Sequence, residues 1–472
     1  MPTLHHRFEL DHPAAEVFAW HTRPGAFERL TPPWESLRVL DRSGGIEPGG
    51  TVTLELRRGP ARLTWEARHT EVDEGSRFVD EQVGGPFRFW RHEHRFEVLG
   101  PDRCAVEDHV EWEAPLGSLG DAFSESYVRT SLNRLFAFRE RRLAGDLAAH
   151  RRYGPGEGRT VAITGSGGLI GGSLAHLLTT GGYRVLRVTR ARTPSVGEAS
   201  WDPSTGRIDA EAFEGLYGVV HLAGEPIAGL RWTRARKESI LSSREDGTRL
   251  LARTLAALGT PPQALVSGSA VGFYGNRGDE PLTEESSSGE GFLAEVCRRW
   301  EGATLPARTA GIRTVCLRTG LVLSSAGGVL GTLLLPFRLG LGGRIGSGRQ
   351  YQPWIDLDDE TGMILHALRN PAVKGALNAT GPAPVPNAAF TDVLGRVLGR
   401  PTLLPVPALA IRAALSEMGT ELLLSGQRAL PSRALESGYR FRFSDLEDSL
   451  RHQLGRPLDS SGETMDSNVE AR

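Results

Sequence analysis

Two hydrophobic periods divide the chain. Across the first hundred or so residues apolar and polar positions alternate, the two-residue period of strands with one buried face. This pattern predicts strands over Thr3–Leu10, Thr51–Arg57, Arg62–Val72, Arg77–Gln82, Phe87–Val98 and Cys104–Trp112, broken by turn residues such as Gly84-Gly85-Pro86 and Gly100-Pro101-Asp102. A short helix is predicted over Pro13–His21, with Asp11 as a cap and Pro13 near its first turn. The period then changes to that of a helix. Phe123, Tyr127, Val128, Leu132, Leu135 and Phe136 share one face of a long helix that closes this segment. The run Arg-Arg-Tyr-Gly-Pro-Gly-Glu-Gly at 151–158 offers little to pack and reads as a linker.

From Arg159 onward short apolar runs alternate with helical stretches. Strands are predicted at Val161–Thr164, Tyr183–Thr189, Gly218–Leu222, Ala264–Ser267, Arg313–Leu323 and Gly375–Thr380, with helices from Leu169, over Thr233–Leu258, over Leu293–Ala310 and after Asp359. Such alternation implies a parallel, doubly wound sheet. The glycine-rich stretch 324–352 is too long for a plain connection and reads as a loop folding over a site. Residues from Pro382 to about Leu450 read as a small, mostly helical lobe. The expected division is therefore 1–150, a linker at 151–158, 159–380, a lobe at 381–455 and a disordered polar tail at 456–472.

The first strand of the second domain runs into Thr164-Gly165-Ser166-Gly167-Gly168-Leu169-Ile170-Gly171. A glycine triplet at three-residue spacing is by itself only a tight turn. Here a strand precedes it, a helix begins inside it and a second strand follows at the distance of a βαβ unit, the context of dinucleotide binding. The glycines permit the turn and the approach of a pyrophosphate, and the helix start offers free N–H groups to that anion. Thr164, Gly165, Ser166, Gly167, Gly168, Leu169 and Ile170 are the candidate phosphate-side residues. At the end of the second strand, where an acidic residue would bind the ribose hydroxyls of NAD, stand Thr189, Arg190, Ala191 and Arg192. A guanidinium suits a 2′-phosphate, so NADP(H) is the expected cofactor, against the alternative of two solvated arginines. Ligands of such sheets lie beyond the carboxyl ends of the strands. Leu222, Ala223, Gly224 and Glu225 end one strand, Ser267, Gly268 and Ser269 another, and Arg318 and Thr319 a third, which makes them the remaining candidates for the cofactor or for catalysis.

Composition narrows the classes. With 55 basic and 57 acidic residues the formal net charge is −2, which gives no electrostatic reason to invoke nucleic acid or an acidic membrane as partner. Lys237 and Lys374 are the only lysines, so nearly all basic residues are arginine. Three cysteines (Cys104, Cys297, Cys316) in so long a chain argue against a disulfide framework or a zinc site. Asp358 and Asp359 lack histidine or cysteine partners nearby, so they read as helix-capping or pairing residues and no metal is expected. Without an apolar signal core or a membrane-length apolar run, a cytoplasmic location is the expectation. The oligomeric state is open.

Blocks in the second half resemble a known family. Beside the glycine turn, His221-Leu-Ala-Gly-Glu-Pro226-Ile, Ser267-Gly-Ser269-Ala-Val-Gly-Phe-Tyr274-Gly275, Leu317-Arg-Thr-Gly320 and Trp354-Ile-Asp-Leu-Asp-Asp359 occur in the order found in extended short-chain dehydrogenase/reductases. Pro336-Phe-Arg-Leu-Gly-Leu-Gly-Gly, Trp232 and Leu424-Ser-Gly-Gln-Arg-Ala-Leu-Pro431 resemble the branch of nucleoside-diphosphate-sugar epimerase-like proteins, sometimes called cell-division-inhibitor-like. The resemblance spans about 159–450 and implies a Rossmann-type α/β domain. In the first 150 residues the strand–helix–strands–long helix order, opening on Phe8-x-Leu10 … Pro13-x-x-x-Val17-Phe18-x-Trp20, resembles the α+β helix-grip fold of START and polyketide-cyclase-like domains. That resemblance implies an apolar ligand between sheet and helix. A filled core would show the same aromatic stripe at Phe87, Phe89, Trp90 and Phe96.

The resemblance also implies a Ser, Tyr, Lys catalytic set, in which Tyr passes a proton and Lys, four residues on, lowers its pKa. Ser269 matches the Ser. Where Tyr-x-x-x-Lys should fall, the chain reads Gly291-Phe-Leu-Ala-Glu-Val-Cys-Arg298: Phe292 replaces the Tyr and no lysine follows. Arg298 is a poor proton relay. Two readings stay open. In one, an NADP(H)-dependent oxidoreductase acts on a small molecule, with Ser269, Tyr274 and Lys237 as candidate catalytic groups and Glu225 or Glu295 as other proton carriers. In the other, the chain binds NADPH without turnover, as a sensor or ligand-binding protein. Sugar epimerisation, which wants the Tyr relay, ranks below simple reduction.

Overall fold

The computed structural model describes residues 1–114, 118–229 and 231–457; the expected disordered tail falls outside the described residues from 458 onward. In the N-terminal part the elements are β1 (Thr3–Leu10), α1 (Ala14–Thr22), α2 (Ala26–Leu30), β2 (Leu37–Ser43), β3 (Thr51–Arg58), β4 (Ala61–Asp73), β5 (Arg77–Gly84), β6 (Phe89–Gly100), β7 (Arg103–Glu113) and α3 (Ser118–Tyr153). The strands form one antiparallel sheet of order β1-β7-β6-β5-β4-β3-β2 that curls around α3. Two apolar clusters fill the space between sheet and helices. One joins Phe8, Phe18, Trp20, Phe78 and Phe96 to Leu143 and Leu147 of α3, and the other joins Trp90, Val110 and Trp112 to Val128, Leu132 and Phe136. The alternation in the sequence marks the strands it names. It misses β2, where only Leu37 and Val39 are half-buried and the alternation ends after four residues.

The second part continues with β8 (Thr160–Thr164), α4 (Leu169–Thr180), β9 (Arg184–Thr189), β10 (Glu198–Asp202), β11 (Arg207–Ile208), β12 (Gly218–His221), α5 (Arg234–Ala256), β13 (Ala264–Ala270), β14 (Pro281–Leu282), α6 (Phe292–Gly302), α7 (Leu305–Thr309), β15 (Arg313–Thr319) and β16 (Leu321–Leu323). It ends with α8 (Gly328–Arg338), β17 (Tyr351–Gln352), β18 (Trp354–Asp356), α9 (Leu357–Arg369), β19 (Gly375–Ala379), β20 (Val385–Pro386), α10 (Asn387–Leu398), α11 (Ala408–Gly419), β21 (Arg428–Ala429), α12 (Ser432–Glu436) and α13 (Leu446–Leu454). The main sheet has the order β11-β10-β9-β8-β12-β13-β15-β19 and is parallel apart from β11. Its order reverses between β8 and β12, the switch point at which such sheets take ligands. The stretch 324–352 is not all loop, because α8 occupies its first half and buries Leu330, Leu334 and Phe337 against α10 and α13. Among the described residues no helix is long and apolar enough to cross a membrane.

The two parts are joined through buried charge. Helix α3 runs to Tyr153, three residues into the segment read as linker, and its last residue hydrogen-bonds His366 of α9 through its hydroxyl at 2.9 Å. Arg29 of α2 forks onto Asp146 of α3 at 2.7 and 2.5 Å, reaches Asp358 of α9 at 3.0 Å and donates to Ser173 of α4 at 3.1 Å. Arg442 adds a second contact to Asp146 at 2.9 Å, and Arg142 a second to Asp358 at 2.7 Å. Burial works against ionising both carboxylates, but Arg142 and Arg29 hold Asp358 well below the usual carboxylate range, and Arg29 and Arg442 lower Asp146. Removing one member of such a network leaves its partners charged in a dry interior. Asp146→Asn is expected to destabilise the folded chain by about 3–5 kcal/mol. Calorimetric melting should show a fall of roughly 5 °C or more, and a variant melting within about 1 °C of the parent would contradict this role.

Candidate functional site

The turn after β8 is set by space as well as by backbone angle. Gly165 has φ +72°, and a Cβ there would lie 2.9 Å from the carbonyl carbon of Leu222. A Cβ at Gly171 would collide with the carbonyl oxygen of Gly165. Gly168 N–H closes the turn on Gly165 O at 3.0 Å, and α4 starts at Leu169 and Ile170, so the unbonded N–H groups of its first turn face the switch point. Ser166 is buried within the turn and Gly167 is open to solvent with no neighbour near its α-carbon. Thr164 is fully buried. Its hydroxyl accepts from Leu222 N–H at 3.1 Å and Ala223 N–H at 3.2 Å and meets His221 Nδ1 at 2.7 Å, while His221 Nε2 reaches Thr248 at 3.0 Å. Burial lowers the His221 pKa to about 4, so this ring is a neutral strut. Thr164 thus shapes the crevice from behind.

Arg190 stands exposed at the end of β9, 3.6 Å from Glu225, whose other oxygen lies 3.4 Å from Arg236. Two arginines therefore flank one rim of the crevice. Gly224 packs against Arg244 of α5, which sequence reading did not single out. Arg244 donates to Glu225 O at 2.9 Å, lies 5.0 Å over the Trp300 ring and leaves Nε buried without a hydrogen-bond partner. Burial lowers its pKa to about 10, which still leaves it a cation at neutral pH. Ser267 is fully buried with its hydroxyl on Gly268 O, and Gly268 leaves room for Trp300.

Beyond the ends of β13 and β15 lies a cleft of about 170 Å³ between the sheet and the C-terminal lobe. Arg244, Ala270, Leu293, Cys297, Trp300 and Thr319 wall it on the sheet side, and Gln352, Glu421, Leu422 and Gln427 on the lobe side. Glu421 fixes the lobe by accepting the N–H groups of Phe292 and Leu293, both at 2.8 Å, at the start of α6. The face of α6 toward the cleft, where a Tyr and a Lys would work, is apolar. Cys297 there is no nucleophile, because burial pushes its thiol up to about 12.

Of the three candidate catalytic groups the structure brings one near the cleft. Ser269 donates to Glu301 at 2.7 Å, and Glu301 is held by Arg318 at 2.8 and 3.0 Å. Arg318 also stacks 3.5 Å over Phe273 and donates to the Tyr274 hydroxyl at 2.9 Å, so it is committed to this network rather than free for a cofactor. Tyr274 is fully buried, bonded to Asn378 at 2.7 Å, and burial raises its pKa. It is a strut and not a proton donor, contrary to its place among the candidates. Lys237 is paired with Glu417 at 2.8 Å and lies 4.5 Å over Phe292, outside the cleft wall, so it too is not a catalytic partner of Ser269 here. Glu295 is half-exposed in a pair with Arg298 at 2.6 Å. Thr319 donates to Glu360 of α9 at 2.8 Å.

With the geometry established, the comparisons decide the family. Residues 161–379 match the NAD dependent epimerase/dehydratase family, residues 10–136 the polyketide cyclase / dehydrase and lipid transport family, and residues 406–453 a domain of unknown function. Epimerase family protein Mb2239 of Mycobacterium bovis is 44% identical over 297 residues, 63% of this chain and 98% of its own length. The chain belongs to the epimerase family. Human epimerase family protein SDR39U1 shares 36% over 295 residues, 62% of this chain and 98% of that protein, and its structure with NADPH superposes with a TM-score of 0.57. A nucleoside-diphosphate sugar epimerase structure from Corynebacterium glutamicum covers 96% of this chain and 90% of its own, at 36% identity and a TM-score of 0.79. That likeness extends over both parts of the chain, so the helix-grip domain and the Rossmann-type domain occur together in this epimerase-family relative.

Glu360 offers a test of the interior behind Thr319. Burial pushes its carboxyl up from an ordinary 4.5 to about 8, against the hydrogen bond from Thr319. Between those values the folded state keeps a proton that the unfolded chain has lost, so this group's contribution to stability falls as pH rises from about 4.5 to about 8. Glu360→Gln is expected to melt with the parent near the lower limit and above it progressively toward the upper one. A melting difference that stays constant across the range would contradict the assignment.

Proposed function

We propose that this epimerase-family protein is an NADP(H)-dependent oxidoreductase acting on a small molecule held in the cleft between sheet and lobe. The observation that carries the reading is the glycine turn at the β8/β12 switch point with Arg190 and Arg236 at its rim and the cleft beyond β13 and β15 beside it. The residues fit the group: glycines at 165 and 171 let the turn close where a Cβ would strike the backbone, Gly167 leaves the outer side of the turn open to a pyrophosphate, and an exposed guanidinium suits a 2′-phosphate. The human relative's structure contains NADPH, which agrees with this cofactor. When bound, the nicotinamide supplies or accepts a hydride.

The chain's own residues then have distinct tasks. The N–H groups of the first turn of α4 hold the diphosphate, and Arg190 selects the phosphorylated ribose. Arg244 is the cation nearest the cleft, with an unpartnered donor, and it orients an electron-rich oxygen of the substrate. Ser269 presents its oxygen under the control of Glu301. Apolar Leu293, Leu422 and Trp300 exclude water. Tyr274 and Lys237 take no part in proton transfer, and the proton of the product comes from the solvent side of the cleft.

The second reading, NADPH binding without turnover, is favoured by the apolar face of α6. Hydride transfer separates the two. The full chain is loaded with NADPH deuterated at the transferable position and incubated with a cell metabolite extract, and products are read by mass spectrometry. Deuterium is expected in a small-molecule product with the parent and not with Gly171→Asp, whose side chain cannot fit the turn. Bound NADPH with no labelled product would overturn the oxidoreductase reading in favour of the binding one.

A further inference from the structure

The concave face of the N-terminal sheet carries chemistry that an apolar ligand site would not need. Asp80 on β5, His92 and His94 on β6 and Asp108 on β7 lie side by side, with Asp80 opposite His92 and Asp108 opposite His94 in the strand register. All three of His92, His94 and Asp108 are buried. One oxygen of Asp108 takes both rings, His92 Nε2 at 3.0 Å and His94 Nδ1 at 2.8 Å. A carboxylate that accepts an N–H from each ring fixes both tautomers and leaves the opposite nitrogens, His92 Nδ1 and His94 Nε2, as lone-pair donors.

Both of those nitrogens stand 3.7 Å from the same oxygen, Oδ2 of Asp80. That separation is too long for a hydrogen bond. It is close to the spacing of two donors that share one cation with bonds of about 2.0–2.2 Å. The three ligand atoms lie within 4.8 Å of one another. The surroundings add to the argument. Arg139 of α3 is a half-buried cation whose charge acts on both carboxylates, so with neutral histidines the cluster carries one negative charge in excess. His69, opposite Asp80 on β4, has its Nδ1 buried without a hydrogen-bond partner, and His21 of α1 packs its ring 6.2 Å from His94.

We infer that the N-terminal domain binds one divalent first-row transition-metal ion through Asp80, His92 and His94, with Asp108 orienting the two histidines from behind. Two imidazoles and one carboxylate form a ligand set that suits Zn²⁺ and Fe²⁺. Nothing in the reading of the Rossmann-type domain depends on this site.

The test uses the full chain, stripped with EDTA, in a His5→Gln background that removes the exposed histidine of β1. Zn²⁺ is titrated by calorimetry and Co²⁺ by its visible d–d bands. One equivalent per chain is expected, with Asp80→Asn, His92→Gln or His94→Gln each weakening binding by about 100-fold or more and Asp108→Asn by about 10–100-fold. NADPH affinity, read in parallel, should be unchanged and shows that each variant is folded. Where a variant fails to fold, the parent's Co²⁺ form decides by NMR: two hyperfine-shifted imidazole N–H resonances are expected, one from each ring held by Asp108. No binding at about 100 µM metal, or binding that survives all three ligand substitutions, would overturn the site and leave the cluster as a proton-sharing one.

Discussion

The structure depends on how closely β8 and β12 approach at their carboxyl ends. Gly165 turns there with a positive φ, without room for a side chain against Leu222 and Ala223, and the Thr164 hydroxyl takes both of their N–H groups. That contact opens the switch point and aims the start of α4 at it. The same helix carries Ser173 and Thr180 on its outer side, where Arg29 and Arg23 of the helix-grip domain donate to them at 3.1 and 2.9 Å. The N-terminal domain is thus clamped on the helix whose start faces the switch point, and the buried Arg29–Asp146–Asp358 network extends the clamp to α9. A domain held by buried ion pairs has few alternative orientations, because each charge is dry and stabilised only in this arrangement.

The cleft combines a retained binding frame with a changed proton chemistry. Ser269 keeps its place at the end of β13, but its neighbours are Glu301 and Arg318 rather than a phenol and an amine. Phe292 and Val296 present carbon at the four-residue spacing where the resemblance implies Tyr and Lys, and Cys297 beside them keeps a neutral thiol. Arg244, stacked on Trp300 and half satisfied, is the residual source of positive charge in the cleft wall. An arginine can orient and polarise but cannot relay a proton.

The fold was largely legible from periodicity. Antiparallel strands with one dry face and a sheet with both faces covered leave different signatures, and the glycine turn announced itself through its flanking strand and helix. What stayed hidden was tertiary. The alternation in β2 spans only four residues, and α8 lies inside a glycine-rich stretch, with Pro336 near its end. Arg244 and Glu301 look like ordinary helix surface residues until the sheet brings them against Trp300 and Arg318. Tyr274 stands out in the sequence because it sits in a family motif, but in the turn after β13 it is fully buried and bonded to Asn378 and Arg318. The histidines of β6 were missed for a similar reason. His92 and His94 stand two apart on one face of β6, but Asp80 joins them only through the β5/β6 register, which the sequence does not show, and a low cysteine count says nothing about imidazole and carboxylate clusters.

The central claim is that the β8/β12 switch point holds a phosphorylated nicotinamide dinucleotide selected by Arg190. Its most direct test is calorimetric titration of the full chain with NADPH and with NADH, repeated on Arg190→Ala. The account predicts one NADPH per chain, weaker NADH binding, and a loss of roughly 10-fold or more in NADPH affinity in the variant with NADH unaffected. Equal affinity for the two dinucleotides, or none for either, would contradict it.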